Sequence, residues 1–458
     1  HCVTRRQRQM CIRDRDSNRL FVHQSPSDLS PSAKTSDWPR FNGPFDNAKS
    51  SETKILKKWS TDGPTLLWEL VKGEGYASPA VFKDSLILFH LLNGKEVAES
   101  RNAENGSSNW SFSYPVSYRD RYGYSNGPRA SPVVGNGRVF FQGVTAWLTC
   151  LDLESGKLIW RRDLKTQFKV PDNFFGKGSN PLLWDDQLIV NIGGSEGVCV
   201  ASFNASDGAV RWIAEDEWGA SYSSPVRSVI HGKEVCLVFT GGESRPPTGG
   251  LLIIDPVNGN VLSRFPWRST NYESANAVPP VPLPDNRVFL SECYEKGGVI
   301  IEFDKAFNPE IVWNNPSINL HWMTPVENNG FLYGISGRHQ RGAEIFCMEL
   351  DTCEIQWKER AHWLYEIGGT ERRLELFRGS FVLIEGDFLS LSEFGSLVWL
   401  KMDENGWKII SKSQLFFASG SWTLPSLSKG LLYVMQNETD RLSGKGPRLL
   451  CFDLRHTE

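Results

Sequence analysis

The chain has 458 residues, with 50 Lys plus Arg against 53 Asp plus Glu, and its formal net charge of −3 gives no electrostatic basis for binding nucleic acid or an anionic membrane surface. With 40% hydrophobic and 22% charged residues, and no apolar run near the ~20 residues that cross a bilayer, the composition excludes a disordered chain and a helical membrane protein. The 17 Trp and 41 Gly direct attention to internal repeats.

Residues 1–16 begin on His, carry five Arg and two Cys, and contain no apolar stretch. They do not read as a secretory signal and resemble translated sequencing-adapter sequence. A leader, artefactual or disordered, is therefore expected over 1–37, with one domain over 38–458. Membrane association would then require an N-terminal anchor not visible in this chain. WPRFNGP follows at 38–44, and PTLLWEL at 64–70 is an isolated strand bearing Trp68.

From residue 76 onward one phrase recurs: an apolar strand ending in Asp or Asn, three turn residues, Gly, then a strand carrying Trp. It reads Asn102 to Gly106 to Trp110, then Asp152, Gly156, Trp160, then Asn204, Gly208, Trp212. A fourth copy has Asp255 and Gly259, with Ser263 in place of Trp. Looser copies end at Trp313, at Trp357 (with Cys353 at the Gly position) and at Trp399 in SEFGSLVW. The phrase describes a tight hairpin: the acid or amide bonds its own downstream backbone, and Gly supplies positive φ. Trp68, Trp110, Trp160, Trp212, Trp313, Trp357 and Trp399 are expected on outer strands, each locking one sheet to the next through its ring and its indole N–H.

Upstream of each hairpin lies another strand pair, opened in most copies by a Pro step such as SPAVF, SPVVG or NPLLW, which suits a strand at a sheet edge. Four strands thus recur every roughly 42 to 55 residues, with almost no helical periodicity. The predicted fold is all-β: an eight-bladed β-propeller of four-stranded antiparallel blades at about 76–113, 129–163, 177–214, 221–267, 277–315, 322–359, 368–402 and 420–454. The last unit lacks a fourth strand, so the N-terminal strand 64–70 is expected to complete the last blade and close the ring.

These repeats, with WPRFNGP and YSNGPRASPVVGNGRVF at 124–140, resemble the PQQ-like (quinoprotein-type) β-propeller repeat family. That family includes PQQ-dependent alcohol and glucose dehydrogenases and non-catalytic relatives similar to the propeller lipoprotein of the outer-membrane β-barrel assembly machinery. The dehydrogenases carry a vicinal Cys pair over the quinone, and the nine Cys here include no vicinal pair and no CxxC. The resemblance therefore favours the non-catalytic branch: a binding or scaffold propeller in the bacterial periplasm or envelope, with no catalytic residues, no metal and no cofactor expected. PQQ with calcium enters only under the alternative of a quinone-dependent oxidoreductase. A small-ligand, for example saccharide, binding protein is a third option.

Antiparallel order puts the long loops 113–128, 163–178, 240–250, 360–372 and 436–446 on one face, the expected docking face for another protein or a small ligand. Tyr118, Arg119, Arg121, Tyr122 and Arg129 crowd one of these loops. His321, Arg338, His339 and Arg341 form a second cluster. Together they could line an anion- or carboxylate-binding channel mouth, because Arg and Tyr are enriched at binding hot spots. The same arginines could instead pair with acids of their own loops. No HxH or HExxH motif is present, and the Gly-rich GGSEG at 193–197 lies between strands with no following helix.

Overall fold

The computed structural model describes residues 18–456. The first blade is a meander of Ala80–Phe82, Ser85–Leu92, Lys95–Asn102 and Ser108–Pro115, each strand antiparallel to the one before it. The same order recurs in sheets beginning at Val133–Gly135, Leu182–Trp184, Val226–Ile230, Val281–Leu283, Val326–Asn328 and Ser380–Ile384. The eighth blade contributes Ser426–Ser428, Leu431–Gln436 and Arg448–Asp453. Thr65–Val71 pairs antiparallel with Arg448–Asp453, so the N-terminal strand completes this blade and closes the ring as expected.

Period-2 alternation explains the outer strands. Ser108–Pro115 buries Trp110 and Tyr114 while Ser111, Ser113 and Pro115 stay exposed, because outer strands diverge from the neighbouring blade. Second and third strands lie deeper and bury nearly every residue, as in Arg287–Glu292 and Leu431–Gln436. Six of the seven described cysteines are buried, and Cys353 is half-buried in a hairpin turn. Burial pushes the Cys150 and Cys293 thiols up to about 12, and all those described are unpaired.

The repeated phrase joins blade to blade. Gly156 N donates to Asp152 O at 2.9 Å, and Ser155 N donates to Asp152 Oδ1 at 2.8 Å, which folds the turn. The Trp110 ring of the preceding blade lies on Gly156 (φ 65°), where a Cβ would come within 2.4 Å of it. The Trp110 indole N–H then reaches Leu153 O at 2.8 Å. Trp160 repeats this on Gly208 and Ala205 O (3.0 Å), and Trp212 on Gly259 and Pro256 O (2.9 Å). Trp68 likewise covers Gly106 across the closure.

Three sequence expectations need adjustment. Residues 18–37, placed in the leader, are packed on the ring: Leu20–Val22 pairs with Thr65–Val71, and Arg19 bonds the buried Glu99 at 2.9 Å. Residues 1–16, with the adapter-like assignment, lie outside the described residues. The seventh blade spans Ser380–Ile384 to Gly406–Gln414, and a separate hairpin, His362–Ile367 with Thr370–Glu375, precedes it. Trp399 therefore sits on the third strand, Ser396–Asp403, not on an outer one. SEFGSLVW spans the bend between the second and third strands, and the outer hairpin is the shorter Asp403 to Gly406 turn. Trp357 still finds its partner there, donating to Asp403 O at 2.8 Å.

Two stability predictions follow from this geometry. Gly156→Ala must displace the Trp110 ring and should lower stability by about 1–3 kcal/mol more than Gly94→Ala, whose site has similar φ but open space. Paired urea melts check this. Trp68→Ala removes a fully buried ring from the closing strand and should cost about 3–5 kcal/mol, seen as a large drop in Tm; an unchanged Tm would mean that the strand does not seal the ring.

Candidate functional site

WPRFNGP forms a floor across the ring axis. Trp38 exchanges backbone hydrogen bonds with Val81 of the first blade, and Pro39 O accepts from Val134 N of the second at 2.8 Å. Asn42 Nδ2 donates to Thr324 Oγ1 at 3.1 Å beside the sixth blade, Leu383 N donates to Ala48 O, and Lys49–Ser50 pairs parallel with the inner strand of the seventh. Gly43 (φ 78°) lets the turn close onto the Trp38 ring, and Arg40 is tied to Asp46 at 2.6 Å. Phe41 faces upward as the bottom of a cavity of about 350 Å³ on the long-loop face.

The rim of this cup is a chain of touching rings. Tyr294, His321, Trp322, Trp422, Tyr124, Phe175 and Tyr222 follow one another at centroid distances of 6.0, 4.1, 4.9, 5.7, 6.0 and 5.5 Å. Their positions have a simple origin. A Pro precedes the inner strand of seven blades, and the residue three before it lies at the axis: Tyr76, Arg129, Gly178, Tyr222, Ala277, Trp322 and Trp422 all line the cup.

Buried carboxylates set the polar part. Glu393, fully buried, accepts from Trp422 Nε1 at 2.9 Å, Gln340 Nε2 at 2.9 Å and the Arg378 guanidinium at 2.5 and 3.1 Å. Arg378 is thereby held 4.6 Å over the Trp322 ring. Asp120 accepts from Tyr122 N and Tyr124 N, folding the Arg/Tyr loop, and binds Arg129 at 2.6 Å. Arg129 lies over Tyr76 and Phe175. Arg338 lies 4.1 Å over Tyr294 and forms no ion pair among the described residues. Burial, then the charges of Arg378 and Arg338, push the His321 imidazole down to about 3, so it is neutral at physiological pH.

Of the residues singled out in the sequence, Tyr122, Arg129, His321, Arg338 and His339 line the cup. Tyr118 sits behind the wall, bonding Phe174 O, and burial pushes its hydroxyl up to about 12. Arg121 packs outside on Phe174 at 4.7 Å, and Arg119 and Arg341 are exposed away from it. Sequence reasoning missed Phe41, Tyr76, Phe175, Arg378, Glu393 and Trp422. The Pro-minus-three offset would have found Tyr76 and Trp422.

Among the described residues no three His, Cys, Asp or Glu converge as a metal cradle, and the cup's lining carries a single carboxylate, Glu273.

A family profile described as outer membrane protein assembly factor BamB matches residues 93–359. No curated protein matches the chain. Among solved structures it is similar to BamB from Moraxella catarrhalis, with 12% identity and TM-score 0.55 over 86% of this chain and 99% of that one. A europium-containing methanol dehydrogenase has 12% identity and TM-score 0.64, over 91% and 98% of the two chains. The quinohemoprotein alcohol dehydrogenase from Comamonas testosteroni has 12% identity and TM-score 0.63, over 92% and 81%. At these identities the structures share the propeller fold.

A buried neutral imidazole has a pH signature. Its folded-state value lies below the unfolded one, so the stability it supports is complete above about 6.5 and is lost as pH falls toward about 3. His321→Asn should therefore narrow the difference in urea midpoint between pH 7 and pH 4; an unchanged difference would show that the ring is not held neutral.

Proposed function

Because this chain belongs to the PQQ-like repeat family described by the outer membrane assembly factor BamB, we propose that it is a non-catalytic binding propeller of the bacterial cell envelope that receives its ligand or partner in the aromatic cup. The observation that carries this reading is the cup itself: a ring-walled cavity floored by Phe41, in which Arg129 and Arg378 are fixed by the buried carboxylates Asp120 and Glu393. Side chains locked before a ligand arrives lose little further entropy on binding, which is what a recognition site requires. The envelope location draws on the family description alone.

The contrary reading is a quinone-dependent oxidoreductase, in line with the dehydrogenase folds among the structural matches. The vicinal cysteine pair of the PQQ dehydrogenases has no counterpart in the sequence. A thermal-shift screen of envelope-derived small molecules tests the proposal. Binders should raise the Tm of the wild type by several degrees and leave Trp422→Ala unchanged, since Trp422 forms one wall of the cup. Saturable uptake of PQQ with Ca²⁺, accompanied by dye-linked alcohol oxidation, would overturn it.

A further inference from the structure

The cup contains one cation with no acid partner. Asp120 holds Arg129 and Glu393 holds Arg378, whereas Arg338 meets only the Tyr294 face among the described residues. His321 beside it is neutral, and its Nδ1 is buried without a hydrogen-bond partner. A guanidinium against aromatic walls, partly withdrawn from water, favours an anionic group and has the planar fork that matches a carboxylate.

The walls indicate what the anion is attached to. Trp322 and Trp422 stand 4.9 Å apart and are tilted by 47°, while Tyr76 and Tyr124 meet Trp422 at 39° and 65°. This is a corner, not a slot: no flat ring stacks on both indoles at once. A puckered pyranose, with C–H bonds projecting along several directions, suits the ring atoms that the two tilted indoles present to the cup. Thr423, Ser224 and the Glu273 carboxylate on the lining supply partners for hydroxyl groups. A cavity of about 350 Å³ floored by Phe41 admits one or two sugar rings and is too small for a helix, whose diameter with side chains is about 10 Å.

We propose that the cup binds an acidic saccharide, a uronate-type pyranose whose carboxylate pairs with Arg338 while its ring packs into the Trp322–Trp422 corner. The inference rests on the binding-cup reading above and specifies the ligand class. Calorimetry on the full chain with digalacturonate and its neutral counterpart galactobiose tests it. Digalacturonate should bind at least about tenfold more tightly. Arg338→Met should remove the preference and Arg338→Lys should keep part of it, with Tm showing that both variants fold. Trp422→Ala should weaken both sugars. Equal affinity for the two disaccharides, a preference that survives Arg338→Met, or no binding of digalacturonate would each overturn the proposal. If another ligand then binds in a Trp422-dependent way, the acidic-saccharide class fails and the binding cup stands; if no ligand does, both fail.

Discussion

An indole ring lying on the turn glycine of the next blade is the contact on which the propeller depends. The turn requires positive φ, and the residue that supplies it has no Cβ, which brings the ring within reach of the backbone. The indole N–H then satisfies the carbonyl one residue past the turn acid, as at Leu153, Ala205 and Pro256. At other junctions another donor takes the equivalent carbonyl: Tyr433 bonds Ala103 O beside the Trp68 ring, Arg287 bonds Leu350 O, and Leu56 N bonds Leu454 O. The constraint is thus the satisfaction of a buried carbonyl between blades, and Trp is its commonest solution. That explains how the ring tolerates the displacement of Trp399.

The displaced Trp399 also shows what the N-terminal segment contributes. Its indole bonds Leu56 O, and Leu56 N in turn bonds the eighth blade, so residues 54–57 wedge between blades seven and eight. One stretch of chain therefore closes the ring with Thr65–Val71, fills a blade junction and, through WPRFNGP, floors the axis. Each of these contacts joins residues far apart in sequence, and none has a local periodicity.

That difference sets what was legible. Blade number and turn geometry are written in short-range spacing, and the strand missing from the last unit points to ring closure; the structure follows them except where the seventh blade exchanges its five-residue turn for the shorter Asp403 to Gly406 hairpin. The floor was invisible because WPRFNGP matches no strand pattern and its partners Val81, Val134, Thr324 and Leu383 are set by tertiary closure. Counting Arg and Tyr in loops located half of the mouth. It passed over Asp120 and Glu393, single acids in otherwise ordinary loops, and overvalued Arg119 and Arg341, which point away. The useful signal was positional: the residue three before each strand-opening Pro faces the axis, whatever its type.

The two buried acids decide how the cup's charge is presented. A carboxylate withdrawn from water is unfavourable unless paired, and Asp120 and Glu393 are each saturated by an arginine and by backbone or side-chain N–H groups. Arg129 and Arg378 are consequently spent on position: they brace Tyr76, Phe175, Trp322 and Trp422 and add little net charge. Desolvation and the charges of Arg378 and Arg338 keep His321 uncharged, which prevents a further cation from appearing near neutral pH. Three arginines and two histidines thus reduce, electrostatically, to Arg338 with the exposed His339 beside it, set against the Glu273 carboxylate on the lining. A single guanidinium against tilted rings presents its charge beside an apolar face.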